Sequence, residues 1–414
     1  MKKVTYFGLL LAVALTGLSS CSSSDDVTSD PTNTKSGESR LTLTISTPVA
    51  KTSSAKGNSF AMGSRVTDIT KDPTATEEQK INRITVGIFS HDGSTVRTIQ
   101  ELSSGSGDAG SGTYKQTDAS ATAHIVTNSL VEGDLILVAC NAPAGTFTGV
   151  QKATDFKAKT ESIDNSLATP FDGQVGASLV YNNIPMFGSS TLSGSGDKFS
   201  ASVNVNHQTA KVTLSELTVD FDQNGPYKDA SFTPTQIFLI NVPNELKFDT
   251  DASTGTATLF QGYDNTDKSD KSTYRDYLST SVFSNGTELK GDSKGSSHSF
   301  GTPYYFYTMP NNKIDPGVRT KLVIKGLFKS SASDTQGTTV YYPVPLNATY
   351  TNGKPAGAEG STTFAVYANK NYQCKVTIKT KGALHPTDDV TPQQAAITVT
   401  VVPFTGFEQH TVFE

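Results

Sequence analysis

Leu41-Thr42-Leu43-Thr44-Ile45-Ser46-Thr47-Pro48-Val49 alternates apolar and polar residues almost without interruption. A period of two puts Leu41, Leu43, Ile45 and Val49 on one face of an extended chain, the pattern of a half-buried β-strand. Working outward, the polar Gly/Ser-rich passage from Ala50 through Arg65 has no periodicity and is predicted to be an exposed loop open to proteolysis. Glu77-Glu78-Gln79-Lys80-Ile81 then leads into the apolar run Ile84-Thr85-Val86-Gly87-Ile88-Phe89, a second strand.

Further strands are predicted at Ala123–Val126, Leu135–Cys140 and Val203–Val205. A helical patch is predicted over Val150–Ile163, against its Thr and Asp content, and a Ser/Gly loop over Ser189–Lys198. A second block of strands follows at Ala210–Val219, Gln236–Val242, Tyr304–Thr308, Lys321–Phe328, Val340–Val344, Cys374–Ile378 and Ala396–Val402. Short strands broken by Gly, Pro, Asn and Asp turns indicate an all-β chain. At 414 residues, two β-sandwich domains in tandem are expected, 41–200 and 201–403, with an arm over 404–414.

The charge balance, Lys+Arg 34 against Asp+Glu 39, gives a net charge of -5 and no basic field for nucleic acid. Lys2 and Lys3 precede the apolar stretch Phe7–Leu18, the layout of a signal peptide ending at residue 20. Leu18-Ser19-Ser20-Cys21 resembles the bacterial lipobox, which makes Cys21 the expected lipid attachment site and residues 21–40 a flexible tether. No other segment is long and apolar enough to span a membrane, so contact with the outer membrane is expected through lipid alone. Of the 3 cysteines, Cys140 and Cys374 sit in apolar β-type runs and are expected as buried small hydrophobes rather than a disulfide.

Catalytic constellations do not emerge. His91, His124, His207, His298, His385 and His410 are widely scattered, without zinc-ligand spacing or a nucleophile elbow nearby. Asp220-Phe221-Asp222-Gln223-Asn224-Gly225 imitates the opening of an EF-hand, but the twelfth position is Ser231 where a bidentate Glu is needed, so a turn is expected. Gly105–Gly112 lacks the Lys of a phosphate loop. No enzyme activity, cofactor or metal is expected.

Several stretches together resemble the fimbrillins, or type V pilins, of anaerobic Gram-negative bacteria. They are the lipobox at Cys21; the alternating strand with a basic cut site after it; Ile81–Phe89; Leu137-Val138-Ala139-Cys140-Asn141; and Ile184-Pro185-Met186-Phe187-Gly188. His207-Gln208-Thr209-Ala210-Lys211 looks like the R-x-x-A-R/K strand that opens the family's second domain, with His207 in place of Arg. Asn369–Ile378 followed by Ala395–Val402 and a short arm resembles the family's end.

The resemblance implies Greek-key, transthyretin-like sandwiches and a structural role in a cell-surface fimbrium. It also implies that a trypsin-like, arginine-directed protease cuts the loop after the first strand. That strand, with Leu41, Leu43, Ile45 and Val49, leaves, and another subunit's C-terminal arm, with Phe404, Phe407, Val412 and Phe413, takes its place by strand addition. About five apolar side chains at ~1.5 to 3 kcal/mol each give roughly 10 kcal/mol before ordering costs. Arg65 is the expected cut site, since Arg40 precedes the strand and Arg83 abuts the next one, with Lys51 and Lys56 as alternatives for a protease that accepts lysine. The implied partners are other pilin subunits, tip and anchor pilins, the protease, and host or bacterial surface ligands. A stalk role is expected, because the chain has both a loop to cut and an arm to donate. The competing expectation is a lipid-anchored glycan-binding sandwich protein, for which Tyr304, Tyr305, Phe306 and Tyr307 would be the aromatic platform.

Overall fold

Alternation in the sequence becomes alternation in burial along the first strand, β1 (Glu38–Ser46), where Leu41, Leu43 and Ile45 point into a core and Thr42 points out. The computed structural model describes residues 38–47, 73–167, 181–255, 257–263, 272–281, 287–290, 297–351, 354–356, 364–388 and 395–404. Nearly all the regular structure is strand, as the sequence indicates.

The first half contributes β2 (Arg83–Phe89), β3 (Val96–Ser104), β4 (Thr113–Thr117), β5 (Ser120–Asn128), β6 (Leu135–Cys140), β7 (Thr160–Ser162), β8 (Met186–Thr191), β9 (Ser193–Ser195), β10 (Lys198–Asn204) and β11 (Asn206–His207). All but β7 join one sheet with β1, in the order β11-β8-β6-β2-β3-β4-β5-β1-β10-β9. The β3–β4 join is only two parallel rungs, Ser103 with Thr113 and Ser104 with Tyr114. Inward residues from the two sides of that join share one core: Ile84, Val86, Ile136 and Val138 from one, Leu41, Leu43, Ile125 and Phe199 from the other. A Cβ on Gly188 of β8 would lie 2.3 Å from the Asn204 carbonyl oxygen of β10, so only glycine permits that approach.

The second half contributes β12 (Ala210–Val219), β13 (Ser231–Pro243), β14 (Glu245–Lys247), β15 (Leu259–Gln261), β16 (Ser279–Ser281), β17 (Leu289–Lys290), β18 (Ser297–Thr308), β19 (Lys321–Lys329), β20 (Thr338–Pro345), β21 (Thr349–Thr351), β22 (Lys354–Ala356), β23 (Lys370–Ile378) and β24 (Ala395–Pro403). One sheet runs β18-β12-β23-β24 and another β15-β13-β19-β20, with β16 and β17 also on β13. Val212, Leu214, Val376 and Ile397 of the first meet Ile237, Leu239, Ile324 and Val340 of the second in a single large core. The changeover from the ten-stranded sheet to these falls between β11 and β12, at residues 208–209. β7 pairs with β14, and Phe248 packs with Phe147 and Phe156, so side chains of both halves share an apolar cluster.

Two local expectations are corrected, and two strands escape the sequence reading. The helix predicted over Val150–Ile163 is only one turn, α2 (Ala153–Lys157), followed by β7; Thr160 and Glu161 enter the ladder with β14 instead of continuing it. The loop predicted over Ser189–Lys198 is mostly strand, because β8 continues to Thr191 and β9 pairs with β10. β3 and β4 carry too much Ser, Thr, Gln and Lys to stand out by hydrophobicity, yet both are paired.

Cys140 and Cys374 are free and buried, and burial pushes both thiols up to about 12. The Asp220–Gly225 segment is a turn: Gly225 N–H donates to the Asp222 carbonyl, and Asn224 N–H to the Asp222 side chain.

Candidate functional site

β1 is an interior strand. It runs antiparallel to β5, from Glu38 opposite Asn128 to Ser46 opposite Ser120, and parallel to β10, from Arg40 opposite Lys198 to Ser46 opposite Asn204. Its three inward side chains are almost wholly excluded from solvent, Leu41 at 1 % and Leu43 and Ile45 at 0 %. Leu43 lies between the small residues Ala123 and Ala201 and Ile45 between Ala121 and Val203, while Leu41 lies between the larger Ile125 and Phe199. The ridge of β1 therefore fills a trough whose walls are β5 and β10. On the outer face Thr42 Oγ1 is 3.3 Å from His124 Nδ1.

Taking β1 away would expose this trough and leave unpaired main-chain donors and acceptors on two strands at once. Buried groups of that kind are costly to leave unsatisfied, so the gap is specific for another strand rather than for any apolar ligand. Past Thr47 the chain reaches the body again at Pro73, and the intervening residues 48–72, Arg65 and Val49 among them, lie outside the described residues, as do Cys21, Phe407, Val412 and Phe413.

The segment that resumes at Pro73 is firmly held. Thr74 and Glu77 form a capping box at the start of a one-turn helix, α1 (Ala75–Glu78), with the Thr74 amide donating to Glu77 Oε2 at 2.8 Å. Glu78 then turns inward and is 4 % exposed. Its Oε1 accepts from Lys211 Nζ at 2.8 Å and from the Tyr307 hydroxyl at 2.6 Å, which join α1 to β12 and β18. The Glu78 carbonyl accepts from His207 Nε2 at 3.0 Å, which fixes the proton on that nitrogen. His207 is fully buried, and burial holds its ring well below the usual range, at about 4. Further on, Asn141, in a left-handed conformation at φ 62, accepts from the Asn82 amide at 2.8 Å. Its side chain also donates to the carbonyls of Lys80 and Ile184, both at 2.9 Å.

The end of the chain meets the same cluster. Phe404, directly after β24, is 3 % exposed, and its ring lies 4.2 Å from that of His207 and is stacked on Tyr307 at 5.8 Å. Phe404, expected to begin the donor arm, is instead held by its own chain: the Phe404 amide donates to the Asn369 carbonyl at 3.0 Å and the ring packs into the chain's own core.

Arginines other than Arg65 are all engaged. Arg40 lies within β1 rather than before it, paired on both sides. Arg83 opens β2 and donates to the Ala142 carbonyl. Arg97 grips Asp134 and Arg275 grips Asp164 through their guanidinium groups. Arg319 is buried with its guanidinium 3.9 Å from the Phe364 ring. The aromatic run Tyr304–Tyr307 is buried on both faces, so it offers no exposed platform for sugar stacking.

Sequence reasoning quoted Lys211, Asn82 and Asn141 inside motifs without giving them roles, and it missed Glu78 and Tyr307 as partners. Thr74-x-x-Glu77 is a legible capping signal; nothing local marks Glu78 as buried, because its partners are more than a hundred residues away.

Residues 58–216 match the family model described as Major fimbrial subunit protein (FimA), a stretch that takes in β2 to β11 and most of β12. The resemblance to the fimbrillins is thereby borne out. Among solved structures, a candidate cell adhesion protein from Bacteroides eggerthii is similar at 18 % identity and TM-score 0.55, covering 88 % of this chain and 96 % of that one. One from Parabacteroides distasonis has 14 % identity and TM-score 0.58, covering 90 % and 99 %. A fimbrilin from Porphyromonas gingivalis has 16 % identity and TM-score 0.51, covering 89 % and 99 %. At these identities the shared property is the fold. A comparison with curated proteins finds no match.

Proposed function

We propose that this chain is the precursor of a fimbrial stalk subunit that polymerises by exchanging β1 for a strand of a neighbouring subunit. The observation that carries the proposal is β1 itself. It is an interior strand with three buried side chains, set in a trough lined by Ala121, Ala123 and Ala201. The match over 58–216 to a fimbrial subunit family supports the same class of function.

In this scheme Cys21 carries lipid that holds the exported precursor at the outer membrane. A protease cuts after Arg65, the one arginine in the loop behind β1. Leu41, Leu43 and Ile45 at ~1.5 to 3 kcal/mol each contribute roughly 5 to 9 kcal/mol to seating β1, so the strand leaves only when another replaces it. The replacement is the C-terminal arm of the next subunit, residues 405–414, carrying Phe407, Val412 and Phe413. Donor and acceptor surfaces differ, so the contact propagates into a filament.

Mild trypsin treatment of the purified precursor, followed by SDS gels and electron microscopy, tests the proposal. SDS-resistant ladders and fibres are expected; a trimmed chain that stays monomeric would overturn it. Loss of fatty-acid labelling in Cys21→Ala checks the anchor.

A further inference from the structure

The segment behind the loop and the root of the C-terminal arm converge on the same two side chains. Glu78 reaches His207 through its carbonyl, at 3.0 Å, and Tyr307 through its carboxylate, at 2.6 Å. Phe404 covers the His207 ring at 4.2 Å and stacks on Tyr307 at an interplanar angle of 17°. Lys211 closes the cluster from β12, its side chain and that of Glu78 each 4 % exposed.

Burying two opposite charges in this way costs desolvation that an apolar packing of similar volume would avoid, so stability alone does not explain the pair. What such a group supplies is direction. The carboxylate accepts from donors fixed on β12 and β18, whereas apolar side chains slide and repack with little preference. The ends of the two segments that the proposed assembly acts on, the loop that is cut and the arm that is donated, are thus referred to one fixed point.

We propose that Glu78 is a positioning residue for strand donation: acting through His207 and Tyr307, it fixes where the C-terminal arm leaves the subunit. The inference rests on the donor-arm assignment above. With the root at Phe404 clamped, every subunit presents its arm from the same place, and the polymer has one repeat geometry. With the clamp loosened, the arm still fits a groove but leaves its own subunit from a variable root, and polymers become shorter and irregularly bent.

Hydrogen exchange by mass spectrometry on the purified precursor reads the coupling without requiring assembly. In Tyr307→Phe and Glu78→Leu, exchange is expected to accelerate several-fold in 73–79 and in 395–404 together. Glu78→Gln, whose amide oxygen still accepts from Tyr307, retains most of the protection of 395–404. Ile324→Ala, in the same large core but on β19, which pairs with β13 and β20 rather than with β24, serves as the comparison for general loosening. If 395–404 keeps wild-type protection in Tyr307→Phe and Glu78→Leu, or loses it equally in Ile324→Ala, the inference is overturned. After cleavage, Tyr307→Phe is expected to give shorter ladders and more curved fibres than wild type. Identical fibres from both overturn the inference and leave the strand-exchange scheme standing. Coupled exchange in a wild-type chain that never forms ladders refutes the scheme itself.

Discussion

Leu43 of β1 stands directly opposite Ala123 of β5 in the antiparallel ladder. A large side chain facing a small one sets the depth of the trough at that rung, so the two positions share one volume. Leu43→Ala is expected to destabilise the precursor by about 2 to 5 kcal/mol, and Ala123→Leu by about 1 to 3 kcal/mol through overpacking. Combined, they exchange the two side chains and partly restore the volume, so the double variant is expected to be more stable than the sum of the single effects. A double-mutant cycle by urea unfolding measures the coupling; strict additivity would mean that the two side chains do not share the trough.

The proposed cleavage after Arg65 rests on where the other arginines are. Arg40, Arg83, Arg97, Arg275 and Arg319 are held in strands, ion pairs or the core. N-terminal sequencing of assembled material is expected to begin at Val66, and Arg65→Ala should leave the chain uncut by an arginine-specific protease. A mature chain beginning at Leu41 would contradict the assignment.

Phe404 marks where the proposed donor arm begins. Deleting residues 405–414 is expected to leave the unfolding midpoint near that of wild type while abolishing polymerisation after cleavage. Extending the deletion by Phe404 removes a ring packed on His207 and Tyr307 and should lower stability by about 3 to 5 kcal/mol, the usual cost of losing a buried Phe. Urea melts of the two truncations separate the effects.

Glu161 on β7 gives the fold a pH dependence. It is 4 % exposed, its Oε1 has no hydrogen-bond partner among the described residues, and burial pushes its carboxyl from 4.5 to about 8. Below pH 4.5 it is protonated in both folded and unfolded chains and has no effect. As the pH rises from 4.5 to about 8 the unfolded chain gives up this proton first, so stability falls through that window and the loss is complete above it. Glu161→Gln removes the dependence, and the variant is expected to gain on wild type by on the order of a few kcal/mol between pH 5 and pH 8.5. His207, held down from 6.5 to about 4, acts in the opposite sense at lower pH in both proteins and cancels in the difference. Urea melts at the two pH values check this.

The strand β1 was legible from sequence because one face is buried and the other is not, which writes a period of two into Leu41, Leu43 and Ile45. β2 and β6 were legible as apolar runs because both their faces are covered. β3 and β4 were not, since their inward residues are few and their pairing is decided by neighbours. The Glu78–Lys211–Tyr307 cluster was illegible for another reason: each residue is ordinary in its own segment, and only the tertiary fold brings together positions 78, 211 and 307. Phe404 was misplaced because an apolar residue after a Pro-terminated strand reads alike whether it starts an arm or ends a core.

The most direct test of the central claim is competition for the trough between β5 and β10. Cleaved precursor is incubated with an excess of a synthetic peptide spanning residues 38–47, and, in parallel, with one carrying Asp at positions 41, 43 and 45, and SDS-resistant ladders are quantified. The strand-exchange account predicts that the first peptide is retained by the monomer and suppresses the ladder while the second does neither. Ladders that form undiminished in the presence of the first peptide would contradict it.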